Sequence, residues 1–332
     1  MTRLGAILAS ILLTVAAQSD LRGERSVSPA ASADGPRLRA SGATAGQVPL
    51  RASGATAGQV ERHHYTIGAR VRPLLVFWIA RGGVGDAMVT RRRAPGEASY
   101  SLLIGSDPDR APLHINRWGY IEEEIRGAEA RLLGLMTESE EDSIQQAEAN
   151  VRKQPSGSHP FRVIHATADG EQAQARVASI NMPQDYTLRQ MRVVLDVARR
   201  AAGGGSLRVV RLPAGTRPGF LAALADTMRL PAERSIAYAY YGRLYELRRT
   251  RSRNMLNLQI AQRSYGPAVA ADFVITSAHD GEQTKFSMTY GTQGAFAEVP
   301  LTVTYQPRWW MQVELTIDEV SDAPALESGP IQ

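Results

Sequence analysis

The alternation of apolar and polar residues is strictest near the C-terminus. Trp309, Met311, Val313, Leu315 and Ile317 fall in one phase, and Trp310, Gln312, Glu314 and Thr316 in the other. Successive strand side chains point to opposite faces, so residues 309–317 read as a strand with one face buried and one wet. Residues 271–277 and 284–290 read as two more strands around the turn His279-Asp280-Gly281. Residues 299–305 form another, entering the last strand through a turn at Gln306-Pro307-Arg308.

The same reading extends toward the N-terminus. Residues 74–80 (LLVFWIA) form a continuous apolar run of strand length, and Gly82-Gly83-Val84-Gly85 follows as a glycine turn. Residues 87–93 and 99–105 flank a hairpin at Ala94-Pro95-Gly96-Glu97, and residues 161–168 and 172–180 flank Asp169-Gly170. Residues 130–136 and 207–212 are further strands, as is the second half of 230–248.

Helical signals lie between these strands. Residues 114–126 read as a short helix. Thr137-Glu138-Ser139-Glu140 has the form of a capping box opening a polar helix to about Lys153. Asp185 or Thr187 caps a helix to about Ala202, with Leu188, Met191, Val194, Leu195 and Ala198 on one face and Gly203-Gly204-Gly205 as its stop. A last helix carries Pro218 in its first turn. Together these elements predict an α+β fold: a large, curved antiparallel β-meander with several packed helices.

Both ends of the chain depart from this pattern. Arg3, an apolar run over residues 4–17 and the small residues Val15-Ala16-Ala17 have the layout of a secretory signal peptide over residues 1–17. The run is too short to span a bilayer, so no transmembrane span is expected after signal removal. Residues 18–61 are rich in Ala, Ser, Gly and Arg and hold a 12-residue tandem repeat, with LRASGATAGQV at 38–48 and again at 50–60. Such a segment cannot offset its ordering entropy by apolar burial, and it reads as a disordered linker. The globular domain is expected over 62–320, with a flexible acidic tail over 321–332. The protein is therefore expected to be periplasmic or secreted.

Composition narrows the chemistry. The 332 residues contain no cysteine, which excludes disulfides, thiolate metal sites and a cysteine-anchored lipid. The net charge of +5 is carried almost wholly by arginine: of 38 basic residues only Lys153 and Lys285 are lysines. The clusters Arg91-Arg92-Arg93 and Arg248-Arg249-Thr250-Arg251-Ser252-Arg253 read as solvated turns between strands. Neither has interleaved aromatic residues, so no nucleic-acid partner is expected. The histidines have no ligand spacing, so neither a metal nor another cofactor is expected. Gly82-Gly83-Val84-Gly85 lacks the Lys-Ser/Thr and the helix of a phosphate loop.

The densest set of chemical groups lies at residues 107–124. It offers His114, Asn116, Arg117, Trp118, Tyr120 and Glu123 as candidate ligand-binding residues, and Trp310 is a further candidate outside it. Arg117 suits a carboxylate or phosphate, and His114 with Glu123 suits acid–base work. Anchoring of Trp118 and Tyr120 in the core is the structural alternative.

Two stretches resemble a group of exported, β-rich bacterial envelope proteins. One is Gly82-Gly83-Val84-Gly85-Asp86-Ala87-Met88-Val89. The other is Gly242-Arg243-Leu244-Tyr245-Glu246-Leu247, with the strand at 286–290 and Val299-Pro300-Leu301-Thr302-Val303. That group is similar in shape to the half-open barrels of periplasmic lipoprotein carriers. The resemblance implies an envelope role and an apolar-lined concavity, and it carries over no catalytic residue. The leading expectation is a non-catalytic binder of an envelope lipid, glycan or protein. The alternative is a metal-independent hydrolase around His114, Arg117 and Glu123. A third reading is an interaction module presenting its sheet edge.

Overall fold

The computed structural model describes residues 60–72, 78–111, 116–137, 158–183, 186–201, 204–231, 234–308 and 311–318. The expected signal peptide, nearly all of the expected linker and the acidic tail lie outside the described residues. So does the helix expected after Thr137.

The first half of the chain is a run of strands: β1 (Val60–Val71), β2 (Ile79–Ala94), β3 (Glu97–Ser106), β4 (Trp118–Arg126), β5 (Glu129–Thr137), β6 (Ser158–Ala168) and β7 (Gln172–Pro183). Helix α1 (Met191–Arg200), strand β8 (Ser206–Arg211) and helix α2 (Phe220–Arg229) follow. The second half comprises β9 (Ser235–Tyr240), β10 (Arg243–Met255), the short pair β11 (Gln259–Ile260) and β12 (Arg263–Ser264), then β13 (Ala268–Ser277), β14 (Gln283–Gly291), β15 (Pro300–Arg308) and β16 (Met311–Ile317).

Fourteen of these strands form one antiparallel sheet in the order β8-β7-β6-β5-β4-β3-β2-β1-β16-β15-β14-β13-β10-β9. Each half is a meander, and β1 joins them by pairing with β16, Tyr65 opposite Ile317 and Val71 opposite Met311. The sheet curls until its two ends meet. A Cβ at Gly242, in the β9–β10 turn, would lie 2.7 Å from Cβ of Arg208 on β8, and the Arg208 guanidinium sits 4.7 Å over the Tyr241 ring. The outer edge of β9 is itself covered. Arg217 N–H donates to the Ala237 carbonyl at 2.8 Å, and Ala239 N–H to that of Arg217 at 2.7 Å.

Strand alternation sends one set of side chains into the curl. Phe273 of β13 stacks on Phe286 of β14 with centroids 5.0 Å apart, and Tyr238 of β9 on Tyr245 of β10 at 5.3 Å. Leu315 and Ile317 point the same way and are buried, whereas Glu314 and Thr316 are only half-buried on the opposite face. Helix α2 lies within the curl, burying Phe220 and Ala223 in the same core. Helix α1 packs outside, over β3 to β7. There Met191, Val194 and Ala198 meet Leu103, Trp118, Leu135, Phe161 and Val163 in a second core. Its start matches the expected signal: the Thr187 hydroxyl accepts from Arg189 N–H, and Gln190 caps in return through the short 3-10 turn that precedes it.

The α+β expectation with several packed helices is thus overturned. Among the described residues the fold is mostly β, with one fourteen-stranded antiparallel sheet and two α-helices. Three local readings change for the same reason, that long strands absorb segments which look like breaks. Residues expected as a helix from 114 contain β4 from Trp118 onward, because Ile121 and Leu102 face the core across a shared ladder. Gly82-Gly83-Val84-Gly85 is no hairpin turn but a bulge within β2. There Gly83 adopts φ 65°, and a Cβ at Gly85 would meet the Gly105 carbonyl at 2.2 Å. Both arginine clusters lie inside strands. Arg91 and Arg93 belong to β2, and the second cluster belongs to β10, where Arg249 points inward and donates to the Leu230 carbonyl at 2.6 Å and to the Tyr290 hydroxyl. At the C-terminus β15 continues through the expected turn to Arg308, which pairs with Met311.

Candidate functional site

The candidate loop is divided by strand β4. Trp118 and Tyr120 project outward beneath α1, where Trp118 is fully buried with its ring 4.5 Å from Phe161. Burial among these side chains pushes the Tyr120 hydroxyl well above its ordinary range. Asn116 Nδ2 donates to the Tyr186 carbonyl at 2.7 Å, and Arg117 N–H donates to Ser106 Oγ at 2.9 Å, so both fasten the chain entering β4. Glu123 is an odd number of residues from Trp118 and points the other way, into the curl. The structure brings Asn116, Trp118 and Tyr120 to one side of the sheet and Glu123 to the other. His114 and Trp310 lie outside the described residues.

Glu123 has no solvent exposure, and burial raises its pKa to about 7. Its Oε1 accepts from Leu221 N–H at 2.8 Å and its Oε2 from Ala222 N–H at 3.0 Å. These donors are in the first turn of α2, whose N-cap is Gly219 and has no capping side chain of its own. A strand carboxylate thus supplies the acceptors that the helix start lacks and meets the positive end of its dipole. Gly219 makes room for it: a Cβ there would lie 2.3 Å from Glu123 Oε2. The Tyr240 hydroxyl, buried without a hydrogen-bond partner among the described residues, reaches across from β9 to Gly134 of β5, 2.9 Å from where a Cβ would stand.

The far end of α2 is tied by charge. Arg229 Nε and Nη2 each lie 2.7 Å from an oxygen of Glu298, which also receives Arg93 at 2.6 Å and Arg91 at 3.4 Å. Arg91 in turn pairs with Glu61. Hydrogen bonds from Arg229 and Arg93 outweigh burial and hold the Glu298 carboxyl below its usual range. The helix is therefore an interior strut held at both ends, and the curl is filled by it and by apolar side chains.

Open concave surface is found on the outward face of β10 and β13 to β16. A shallow concavity of about 860 Å³ there is bordered by Arg248, Lys285, Thr304 and Gln312, and a neighbouring one of about 280 Å³ by Arg251, Arg253, Thr289 and Thr302. Strand register sets its pattern. Thr289 faces Thr302, Thr302 faces Thr316 and Thr316 faces Thr66, giving one row of threonines across β14, β15, β16 and β1. A second row runs Arg251, Asp272, Ser287, Thr304, Glu314. This face was invisible to motif reasoning. Its signal was the polar phase of the alternation, Thr302 with Thr304 and Gln312 with Glu314 and Thr316, which reads in one strand simply as solvent exposure.

Among the described residues no group of histidine and acidic side chains is arranged to hold a metal ion. No described helix is long and apolar enough to cross a membrane. The outward faces of β13 to β16 are polar, the reverse of a lipid-facing barrel wall.

No protein family and no curated protein matches the chain. A solved structure from Parabacteroides distasonis, called a "putative lipoprotein", aligns over 79% of this chain and 94% of its own length, with 9% identity and a TM-score of 0.25. A superposition that loose carries no argument about fold or function.

Proposed function

We propose that this protein is exported and acts as a non-catalytic binder of an envelope polysaccharide, through the outward face of β10 and β13 to β16. The observation that carries this reading is the location and chemistry of the concave surface. It is lined by hydroxyls, amides and cations, with the carboxylate Asp272 and apolar atoms of Ala270, Val274 and Pro307 among them, while the apolar interior is occupied by α2. A lipid ligand needs an enclosed, apolar-lined cavity, and the concavities on this sheet are shallow, open and mixed polar and apolar in their lining. A row of hydroxyls on a rigid sheet suits a ligand that is itself rich in hydroxyls. A hydrolytic role for Glu123 gains no support, because both of its oxygens are engaged by backbone amides of α2.

Two measurements test the proposal. Cell fractionation with N-terminal sequencing should find the mature chain outside the cytoplasm, beginning near Gln18, as the expected signal peptide requires. The purified protein should be retained on immobilised envelope polysaccharide and not by vesicles of envelope phospholipid. Retention by the vesicles alone would favour a lipid ligand and sink the reading.

A further inference from the structure

We infer that the ligand of this face is a carboxylate-bearing polysaccharide whose acidic groups are gripped by Arg248, Arg251, Arg253 and Lys285. The inference rests on the polysaccharide-binding reading of the same face and adds the charge of the chain that fits it.

The charge balance of the face comes first. Arg248, Arg251, Arg253 and Lys285 are exposed, and none of them makes an ion pair among the described residues. Carboxylates on the same face are engaged or separate. Asp272, across the ladder from Arg251, accepts from Ser287 Oγ at 2.7 Å. Glu314 pairs with Arg70 at 3.6 Å, and Glu246 stands opposite Thr276 without an ion pair. Three guanidinium groups therefore lie along one side of a single strand without an ion pair, and with Lys285 they outnumber Asp272 and Glu246, the carboxylates of this face that make none. Arg251 and Arg253 are roughly 7 Å apart along β10, two residues at the usual strand rise. Arg91, Arg93 and Arg229, by contrast, sit together against Glu298. An anionic ligand is what would complete the set on β10.

Shape then separates the anionic candidates. A lone phosphate or carboxylate is held by converging donors in an enclosed site, whereas these cations stand along the border of an open surface. The threonine row Thr289-Thr302-Thr316-Thr66 runs straight from the neighbourhood of Arg253 across four adjacent strands, about 14 Å in all at the usual strand spacing. The guanidinium groups follow β10 and the hydroxyl row leaves it across the strands, so a polysaccharide that carries both carboxylates and hydroxyls can meet both sets. Guanidinium forks bind carboxylates in bidentate fashion. Single-stranded nucleic acid would need aromatic platforms, and the aromatic side chains of these strands, Phe273, Phe286, Tyr290 and Tyr305, are buried on the opposite face.

Isothermal titration of the full mature chain tests the inference, using polygalacturonate, neutral dextran and polyphosphate as probes. Polygalacturonate should bind, with affinity falling as salt rises. The double variant Arg251→Ala with Arg253→Ala should weaken it at least tenfold. Thr302→Val, close to isosteric and a good strand residue, should weaken it several-fold while leaving the melting temperature unchanged. Dextran bound as tightly as polygalacturonate would overturn the acidic-ligand inference but leave the polysaccharide reading standing. Absence of any polysaccharide binding would overturn both. Polyphosphate bound more tightly, or polygalacturonate binding indifferent to the arginine pair, would also overturn the inference.

Discussion

Replacing Glu123 by glutamine removes a charge from the interior while preserving its shape. The buried carboxyl has a pKa near 7, against 4.5 for the same group in the unfolded chain. Because the folded value is raised, the native state binds the proton more tightly. The stability due to this group is fully present below about pH 4.5 and is lost as pH rises through about 7. A difference of about 2.5 units corresponds to about 3 kcal/mol. Burial disfavours the charged form, whereas the Leu221 and Ala222 amides and the helix dipole favour it, and burial is the larger effect. Urea unfolding of the wild type and of Glu123→Gln, run side by side from pH 4.5 to 8, isolates this group because other titrations cancel in the difference. The wild type should lose about 3 kcal/mol relative to the variant over that range. A gap that instead grew in favour of the wild type as pH rose would refute the argument, since the amides would then hold the carboxylate below its ordinary pKa.

Three further substitutions test the packing. Gly219→Ala places a methyl 2.3 Å from Glu123 Oε2 and should cost more than about 2 kcal/mol by thermal melting, through displacement of the cap rather than backbone strain. Glu298→Ala releases Arg91, Arg93 and Arg229 together and should cost about 1–3 kcal/mol at neutral pH, between surface and buried ion-pair values. Because its carboxyl titrates below the usual range, that cost should fade as pH falls through that range, and a cost that grew in acid would contradict the pairing. Leu315→Ala should cost about 2–5 kcal/mol from lost burial and a cavity, whereas Thr316→Ala should change stability by no more than about 0.5 kcal/mol. Equal losses at the two positions in chemical denaturation would mean that β16 is covered on both faces.

The sequence by itself determined what depends on near neighbours. Period-two alternation set which side of β16 carries Val313, Leu315 and Ile317, and Pro95-Gly96 and Asp169-Gly170 marked hairpins that the structure contains. The Thr187 cap and the apolar stripe of α1 were legible because the helix period is written within a few turns. Long strands were harder to see. Arg248 to Arg253 looked like a solvated turn because charge is a local cue, whereas their place in β10 depends on pairing with β13, whose residues lie about twenty positions away. The tertiary structure alone decided two other features. Glu123 read as an acid–base candidate beside His114. It became a helix cap only when β4 and α2, 98 residues apart, met inside the curl. The threonine row exists only in the register of β14, β15, β16 and β1, which joins the C-terminal strands to the first strand of the domain. Alternation fixes the direction of each side chain within its own strand, but which side chains become neighbours is fixed by register, and register is set by the packed core beneath.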